Sequence, residues 1–519
     1  MYWCKIAQTE HEFEAIAALN YETFVEEIPQ HTPTETRRLV DKFHSDNTYI
    51  VVYKDLELVG MLAVRIQRPF SLDGKIGEVE QYLNEEDCLK LCEIRLLSVK
   101  KQYRNGRVFL QLANALYRYV FDAGYSAAVI SGTTREEKLY TQLGFEAFAP
   151  AVGAEEALFL PMVLRRADGL ILGERLQRKD ISFCPGPVAQ KNELTYTALS
   201  HRSSLFKSLY DEMLSKLSEL SGARYVTPVV GTGTLANDLM LGQIKAQFGE
   251  QRGLLLSNGE FGNRLVRQAQ NWQLSFDVYD VPFSEPYSLE ELETYLSSSN
   301  YAWLCVVHGE TSLGICNNLE AITTVAQRYH VAVCADCISS FGTFPFTMDG
   351  LFMATAVSGK ALGALGGLAF IFTNTIPVDS EAPLYSNLAN YFKNQVPFTM
   401  PASFVASTVD ALKKYPERYV LLQKRLKMLL NEPQLDSYRI KTHHYPIVVT
   451  YQFPEALAYF GRDARLNGFM LHDESGYLKQ HALTQISMIQ PHFEQDLQRL
   501  LAFLSNYETT IIPSEKRGI

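Results

Sequence analysis

From Ile181 onward, the chain alternates between short apolar runs and segments with helical periodicity. Such alternation is typical of a mostly parallel sheet with helices on both faces. The apolar runs end in turns rich in glycine and hydroxyl side chains, and an open parallel sheet binds ligands beyond the carboxyl ends of its strands. The pattern therefore predicts an α/β fold with one ligand site, built from the turns at 231–234, 257–262, 308–314, 336–342 and 358–360.

Two residues at this predicted sheet edge are costly to bury without a partner. Asp336 closes the apolar run that begins at Val331, and Lys360 lies in a turn of small residues. A pyridoxal ring suits both, because its aldehyde reacts with a lysine amine and its ring nitrogen pairs with a carboxylate. Taken alone, the two residues fit a surface lysine and a strand-end aspartate more simply. The other turns at the same edge favour the pyridoxal site.

Length, charge and cysteine spacing limit the classes of protein to which the chain can belong. Its 519 residues are enough for about two to four domains. A net charge of −10 argues against a nucleic-acid groove or an anionic membrane surface as the main partner. No apolar run reaches the roughly 18 residues of a membrane span, and the first residues lack the layout of a signal peptide. The cysteines lack paired zinc-site spacing, so we expect no metal and a reduced, cytoplasmic, multidomain protein.

Residues 1–165 show a different pattern, centred on a basic turn. A strand pattern at 92–99 precedes the turn at 100–106, and a helical pattern follows from Arg107 to about Ala123. Free backbone N–H groups and the helix dipole converge at such a turn, so it suits a phosphate.

Three segments of this region resemble the GNAT-type acyltransferases: Ile94–Val99, Gln102–Arg107 and Leu139–Phe145. The resemblance implies an α+β domain whose basic turn binds the pyrophosphate of an acyl-CoA. It also implies that Tyr140 protonates the departing thiolate. Glu93 is a candidate general base, and its alternative interpretation is a solvated carboxylate at a strand end.

The basic turn departs from the family pattern. Arg107 and Phe109 stand where the GNAT family has further glycines, and these side chains would crowd a tightly wrapped pyrophosphate. An acyl-carrier protein is therefore the alternative donor, and a catalytically silent domain is the alternative role.

Six motifs of the second region occur in the order of the class V aminotransferases, and they most resemble the 2-aminoethylphosphonate–pyruvate and alanine–glyoxylate branch. They are Phe183–Val188, Gly231–Thr234, Ser257–Gly262, His308–Gly314, Asp336–Gly342 and Ser358–Lys360. The resemblance implies a fold type I large domain that binds pyridoxal 5′-phosphate (PLP), in a homodimer with shared active sites. It implies amino transfer between a small amine or amino acid and a keto acid or aldehyde.

The same resemblance implies a role for individual residues. Lys360 would bind the cofactor covalently and then shuttle a proton, and Asp336 would keep the ring nitrogen protonated. Phe261 would stack on the ring, where a planar aromatic side chain is suited. The remaining cofactor-binding residues would be Thr232, Gly233 and Thr234 at the phosphate, Thr311 at the ring hydroxyl, Ile338 on the opposite face, Ser358 beside the lysine, and Thr399 reaching the phosphate of the partner subunit.

The C-terminal region departs from the family at one position. Gln485 stands where relatives carry an arginine that clamps the substrate anion, so an anionic donor would lose a contact of roughly 1.5–3 kcal/mol. Either another cation, Lys479 or Arg465, replaces the arginine, or the substrate differs.

The predicted organisation is a GNAT-like domain at 1–165, a linker or short helix at 166–180, a PLP-binding large domain at 181–414 and a small α+β domain at 415–519. The main hypothesis is a bifunctional biosynthetic enzyme, an aminotransferase fused to an N-acyltransferase. The alternative is a PLP-dependent lyase or decarboxylase whose first domain only docks a carrier or ligand. A cysteine desulfurase is disfavoured, because no cysteine follows Cys337.

Overall fold

The structure is a computed structural model and describes residues 1–28, 31–154, 157–175, 180–190 and 196–512. These residues divide into two compact units. The first comprises Met1–Ser182, Glu455–Met470 and the described part of Gln498–Ile519, and the second comprises Phe183–Pro454 and Leu471–Leu497. The predicted domain bounds within this division stay predictions.

The first unit is built on an eight-stranded sheet. Its strands are β1 (Tyr2–Ile6), β2 (Asn47–Lys54), β3 (Glu57–Arg65), β4 (Leu91–Val99), β5 (Ala127–Thr133), β6 (Glu146–Ala147), β7 (Val152–Ala154) and β8 (Ala157–Arg165). The strand order is β1-β2-β3-β4-β5-β8-β6, with β7 also paired to β8. Within this sheet β4 and β5 run parallel, and they pair only as far as Ile94 and Ile130. Beyond that point the two strands are no longer hydrogen-bonded to each other, which leaves an opening in the sheet.

The helices that accompany this sheet within residues 1–175 are α1 (Glu10–Tyr21), α2 (Asp73–Ile76), α3 (Glu85–Cys88), α4 (Arg107–Val120), α5 (Glu137–Gln142) and α6 (Arg166–Arg175). A π-helical segment, Glu22–Glu27, continues α1. Thr9 and Glu12 form a capping box at the start of α1, which explains why the helix begins there. Residues 166–175 of the predicted linker are helical, and residues 176–179 lie outside the described ranges.

The second unit contains a seven-stranded sheet, preceded in the chain by β9 (Ile181–Ser182). The strands are β10 (Tyr225–Val230), β11 (Gly253–Ser257), β12 (Phe276–Asp280), β13 (Trp303–Val307), β16 (Ala332–Asp336), β17 (Leu351–Val357) and β18 (Leu368–Thr373), and β14 (Gly309–Glu310) with β15 (Ile315–Cys316) forms a separate hairpin. The order is β10-β18-β17-β16-β13-β11-β12, parallel from β17 to β12 and antiparallel at β18. The predicted mostly parallel sheet is confirmed.

Helices cover both faces of this sheet, as its fully buried strands require. Leu254 and Leu256 of β11 pack in one apolar cluster and Leu255 packs in another, so the strand presents side chains to two helical layers. The helices of the second half of the chain are α7 (Ser204–Ser221), α8 (Gly233–Phe248), α9 (Glu260–Asn271), α10 (Leu289–Ser298), α11 (Leu319–Arg328), α12 (Leu388–Asn394), α13 (Ala402–Lys413), α14 (Tyr415–Leu430), α15 (Pro433–Asp436), α16 (Phe460–Leu466), α17 (Gly476–Gln480) and α18 (Phe493–Ile511).

Three short strands complete the described chain. β19 (Val448–Tyr451) and β21 (Thr484–Ser487) pair antiparallel in the second unit, whereas β20 (Phe469–Met470) pairs in parallel with β9 in the first. None of the helices in the described ranges has the length and apolar character that crossing a bilayer requires.

Candidate active sites

Asp336 is the last residue of β16, and its carboxylate is held by two hydrogen bonds. Asn237 Nδ2, one turn into α8, donates to Oδ2 at 2.7 Å, and the backbone N–H of Ile338 donates to Oδ1 at 2.9 Å. Thr355 Oγ1 donates to Asn237 Oδ1 at 2.8 Å, which fixes the orientation of the amide. Burial raises the pKa of Asp336, and the two hydrogen bonds and the charge of Lys360 oppose that rise.

Lys360 lies in a tight loop between β17 and β18. Ser358 Oγ donates to the carbonyl of Leu365 at 2.6 Å and closes this loop. A Cβ on Gly359 would stand 2.7 Å from the Cα of Gly366, so a residue without a side chain is required there. Burial lowers the pKa of Lys360, and the charge of Asp336 opposes this effect. The loop thus places the amine of Lys360 in the cavity that Asp336 also lines.

Phe261 is positioned by a buried carboxylate at the start of α9. Glu310 Oε2 accepts the backbone N–H groups of Phe261 at 3.1 Å and Gly262 at 3.0 Å. Ser312 Oγ donates to Glu310 Oε1 at 2.5 Å. The ring centroid of Phe261 lies 5.3 Å from Lys360 Nζ, so the glutamate fixes an aromatic face above the lysine.

The start of α8 supplies the backbone donors of an anion site. Its first backbone hydrogen bond is donated by Leu235, so the N–H groups of Gly233 and Thr234 precede the helical ladder. A Cβ on Gly233 would stand 2.5 Å from Ile338 Cδ1, so glycine is needed for this close approach.

These groups surround a cavity of about 170 Å³. Of the predicted residues, Thr232, Ser358 and Thr399 are not among those that line it. The lining residues are Gly233, Thr234, Asn237, Phe261, Arg264, Val307, Gly309, Thr311, Asp336, Ile338, Ser339 and Lys360. A buried carboxylate, a buried amine, an aromatic face and free helix N–H groups are the chemistry that PLP requires, so the residues fit this cofactor.

Gln485 is fully buried, and its amide is engaged inside the protein. Its Nε2 donates to the carbonyl of Thr311 at 2.6 Å and to Thr450 Oγ1 at 2.9 Å. Because Nε2 faces two acceptors, Oε1 accepts from His472 Nδ1 at 2.7 Å. Gln485 is therefore a packing residue, and Lys479 is not among the residues that line the cavity.

Several polar residues in or beside this cavity were not predicted from the sequence. Asn237 and Arg264 line the cavity from helices, and Ser339 lines it from the turn after β16. Tyr445 OH lies 2.7 Å from Ser339 Oγ and 3.3 Å from Thr311 Oγ1. A polar residue inside the apolar pattern of α8 was the one signal that could have identified Asn237.

A second, larger cavity of about 800 Å³ lies in the first unit, where β4 and β5 separate. Tyr140, on α5, lines this cavity, as does Glu93 on β4. Burial raises the pKa of Tyr140, and the charge of Glu136 adds to the rise. The phenol therefore keeps its proton, as an acid must before it acts.

Glu93 is fully buried, so its interpretation as a solvated strand-end carboxylate is wrong. Its carboxylate accepts from Ser71 N at 2.7 Å, Ser71 Oγ at 2.5 Å and Leu72 N at 3.0 Å. These bonds engage both oxygens and attach the segment before α2 to β4.

Two protein families match the chain, one in each region. The N-acyl amino acid synthase FeeM family matches residues 15–168, and the aminotransferase class-V family matches residues 189–378. The first match places the GNAT-like region among acyltransferases, and the second agrees with the order of motifs around Lys360.

Several relatives of the chain are 2-aminoethylphosphonate–pyruvate transaminases. A 2-aminoethylphosphonate–pyruvate transaminase of Lysinibacillus sphaericus is 24% identical over 358 residues, which is 62% of this chain and 96% of the relative. One of Pseudomonas aeruginosa is 27% identical over 333 residues, 57% of this chain and 88% of the relative.

Solved structures show the same fold. An aspartate aminotransferase of subgroup IV from Thermus thermophilus has a TM-score of 0.56 at 22% identity, covering 63% of this chain and 99% of its own. Alanine–glyoxylate aminotransferase from Nostoc sp. also has a TM-score of 0.56 at 22% identity, and the match covers 64% of this chain and 95% of the aminotransferase chain. The chain thus carries an N-terminal acyltransferase-like domain of the N-acyl amino acid synthase type, followed by a class V, PLP-dependent aminotransferase domain.

Proposed function

We propose that the second unit transfers an amino group between a small amine or amino acid and a keto acid or aldehyde. The observation that carries this proposal is the single cavity in which Asp336, Lys360 and Phe261 meet the free N–H groups of α8. PLP, when bound, supplies the electron sink that labilises a bond at the substrate's α-carbon.

The residues around the cofactor then have distinct tasks. The N–H groups of Gly233 and Thr234 hold the phosphate, and Phe261 orients the ring by stacking. Asp336 keeps the proton on the ring nitrogen, because a buried carboxylate favours a paired cation. Lys360 anchors the cofactor and afterwards moves a proton at the α-carbon, a role that its lowered pKa supports.

Arg264 is the residue we assign to the anionic group of the substrate. Apart from Lys360, it is the one cation among the described residues that line the cavity, and its guanidinium lies 4.7 Å from the Phe261 ring centroid. Its ion pair with Glu260 is long, at 3.7 Å, and partly exposed, so little energy opposes a change of partner. Gln485, whose amide is engaged inside the protein, is not among the residues that line the cavity.

Amino-donor profiling tests this function. We expect the PLP-loaded protein to form the amine of a supplied keto acid, such as alanine from pyruvate, when mass spectrometry follows a panel of amines. For anionic donors, including 2-aminoethylphosphonate, Arg264→Gln is expected to lower kcat/KM about tenfold or more, because a charge-assisted contact is lost. Neutral donors should lose little.

Arg267→Gln is the matched control, because Arg267 pairs with the same Glu260 at 3.2 Å but does not line the cavity. Equal losses in both variants would contradict the role of Arg264. Amine consumption without any need for a keto acid would instead indicate a lyase or decarboxylase.

For the first unit, we propose transfer of an acyl chain to an amine, as the name N-acyl amino acid synthase describes for the matching family. Leu112, Leu116 and Val120 line the cavity from one stripe of α4, where an acyl chain would be shielded from water. The donor would be an acyl thioester of CoA or of an acyl-carrier protein. The two units would act consecutively on one metabolite.

Tyr140→Phe is expected to lower acyl transfer by about 10²-fold, the lower end of what a positioned acid contributes, because a thiolate leaves readily. The measurement is the formation of N-acyl product from a long-chain acyl-CoA or acyl-carrier protein and an amine. Binding of the acyl donor should be retained, since only one hydroxyl is removed.

Tyr119→Phe serves as the control, because its hydroxyl contacts Thr48 and it does not line the cavity. If wild type binds the thioester but yields no acylated product, the first unit has a docking role. If Tyr140→Phe is as active as wild type, another acid must protonate the thiolate.

The homodimer expected from the family also belongs to this proposal. Thr399 is exposed and does not line the cavity of its own chain. In a dimer with shared sites it would contact the cofactor phosphate bound by the other subunit.

A further inference from the structure

The hydroxyl group of Thr311, on the wall of the cavity in the second unit, lies at the end of a buried chain of hydrogen bonds. Ser339 Oγ donates to the carbonyl of Gly309 at 2.6 Å. Tyr445 OH lies 2.7 Å from Ser339 Oγ and 3.3 Å from Thr311 Oγ1. Thr311, Ser339 and Tyr445 are all buried, so the chain is shielded from bulk water.

The direction of each bond in this chain follows by elimination. A carbonyl only accepts, so the one hydroxyl proton of Ser339 is used on Gly309. The bond between Tyr445 and Ser339 must then be donated by the phenol. Burial raises the pKa of Tyr445, so the phenol keeps this proton. Tyr445 has only lone pairs left for Thr311, and Thr311 is therefore the donor of their contact.

The backbone of Thr311 is held in place, whereas its hydroxyl proton is held only weakly. The Thr311 carbonyl accepts from Gln485 Nε2 at 2.6 Å and from the N–H of Gly314 at 3.2 Å. By contrast, the 3.3 Å contact with Tyr445 is long for a bond between two hydroxyl groups, which is usually about 2.7–2.8 Å. The proton of Thr311 can therefore leave Tyr445 at low cost for a stronger acceptor in the cavity.

PLP presents such an acceptor once its other polar groups are assigned. Asp336 takes the ring nitrogen, Lys360 takes the aldehyde and the N–H groups of α8 take the phosphate, so the ring hydroxyl remains. Among the described residues that line the cavity, the side-chain hydroxyl groups are those of Thr234, Thr311 and Ser339. Thr234 belongs to the phosphate end at α8, and the proton of Ser339 is already used. Thr311 is thus the donor available to the ring hydroxyl.

We propose that Tyr445 is a positioning residue that sets, through Thr311, how readily the ring hydroxyl of PLP gives up its proton. When the ring oxygen carries its proton, the Thr311 proton stays on Tyr445. When the ring oxygen is an anion, Thr311 turns and donates to it. Tyr445 therefore stabilises the protonated state by offering a competing acceptor. This inference rests on the PLP site proposed above and adds the control of its protonation.

The other titratable groups around this chain of hydrogen bonds stay the same in every variant compared below. Glu310 and Cys316 lie on the hairpin of β14 and β15, and both raise the pKa of Tyr445. Burial raises the pKa of Glu310, and it raises the pKa of Cys316 to about 12. The remaining groups, on the cavity wall or behind Thr311, are Arg264, Asp336, Lys360 and His472. Their effects cancel when a variant is compared with wild type.

The absorbance of the PLP-loaded, full-length protein, followed against pH, measures this proton without any turnover. The absorbance of PLP bound to a lysine changes when the proton shared by the ring hydroxyl and the lysine nitrogen is lost. We expect Tyr445→Phe to lower the pH of this transition by about 0.4–1 unit, because the protonated state loses one hydrogen bond. Ser339→Ala should lower it too, since Tyr445 can then donate to Thr311 and strengthen its bond to the ring oxygen.

A double-mutant cycle decides whether Tyr445 acts through Thr311. Thr311→Val removes the hydroxyl, keeps the branched shape and should raise the pH of the transition, because the ring anion loses its donor. Tyr445→Phe should have no further effect in the Thr311→Val background. Tyr451→Phe is the matched control and should leave the transition unchanged. Tyr451 is also fully buried, and its hydroxyl has no hydrogen-bond partner among the described residues.

The proposal is overturned if Tyr445→Phe leaves the transition at the wild-type pH or raises it. A shift of equal size in the Thr311→Val background would also overturn it, because Tyr445 would then act by another route. If a melting curve shows that Tyr445→Phe does not fold, Ser339→Ala decides by the same criterion with Tyr445 intact. A wild type that binds PLP through Lys360 but transfers no amino group would refute the proposed reaction, while the titration still tests the Tyr445 assignment.

Discussion

Replacing Lys360 with alanine is expected to abolish amino transfer. The variant loses the amine that anchors the cofactor and the group that moves the proton, and positioned acid–base groups alone contribute about 10²- to 10⁴-fold. Borohydride reduction of the PLP-loaded wild type, followed by peptide mass spectrometry, should place a phosphopyridoxyl adduct on Lys360. The same treatment of Lys360→Ala should give no adduct at this peptide.

Two variants control this result. Lys360→Arg keeps a positive charge but cannot form the covalent link, so it should be as inactive as the alanine variant. Lys393→Ala removes an exposed lysine paired with Asp379 in the same unit and should behave as wild type. Turnover by Lys360→Ala at the wild-type rate, or an adduct on another lysine, would remove Lys360 from the proposed site.

The residues of this site that lie in local turns could be predicted from the sequence, and most of them line one cavity in the structure. Asp336 ends an apolar strand, and Lys360 lies in a glycine-containing loop, so each is visible as a costly residue in a short window. Because parallel strands end at one sheet edge, their turns are expected together before any coordinate is known. The start of α8 at Gly233 follows the same logic, since a helix that begins after a strand presents free N–H groups.

The contacts that orient these groups could not be predicted, because they join segments far apart in the chain. Asn237 reaches Asp336 across 99 residues, and Gln485 reaches Thr311 across 174. The contact of Gln485 concerns the position at which relatives were expected to carry an arginine. The glutamine in place of the expected arginine predicted either a substitute cation or a different substrate, and the sequence could not show that its amide is engaged by Thr311, Thr450 and His472.

In the first unit, too, the sequence pattern did not show how distant segments pair. The turn and helix around Arg107 were visible as a pattern, but the separation of β4 from β5 depends on where their pairing stops.

Replacing Asp336 with asparagine is expected to slow amino transfer by about 10- to 1,000-fold, since a neighbouring opposite charge shifts a pKa by one to three units. The amide keeps the size of the side chain but no longer holds the proton on the ring nitrogen, so the electron sink weakens. PLP should still attach to Lys360, because neither that amine nor the phosphate site changes. The measurements are single-turnover rates with a good amino donor and the adduct mass after reduction.

Asn237→Ala separates charge from positioning at this carboxylate. It removes the 2.7 Å hydrogen bond to Asp336 Oδ2 but leaves the charge and the bond from the Ile338 N–H, so a loss well below that of Asp336→Asn is expected. If the two variants lose the same activity, Asp336 acts mainly by keeping its own orientation, and the proton on the ring nitrogen does not limit the reaction. If Asp336→Asn fails to attach PLP, the carboxylate is needed for binding, and its proposed catalytic role is wrong. In Asp336→Asn, the new side-chain amide would face Nδ2 of Asn237 unless one of the two amides rotates. Because this contact can affect stability, a melting curve of each variant must accompany the rates.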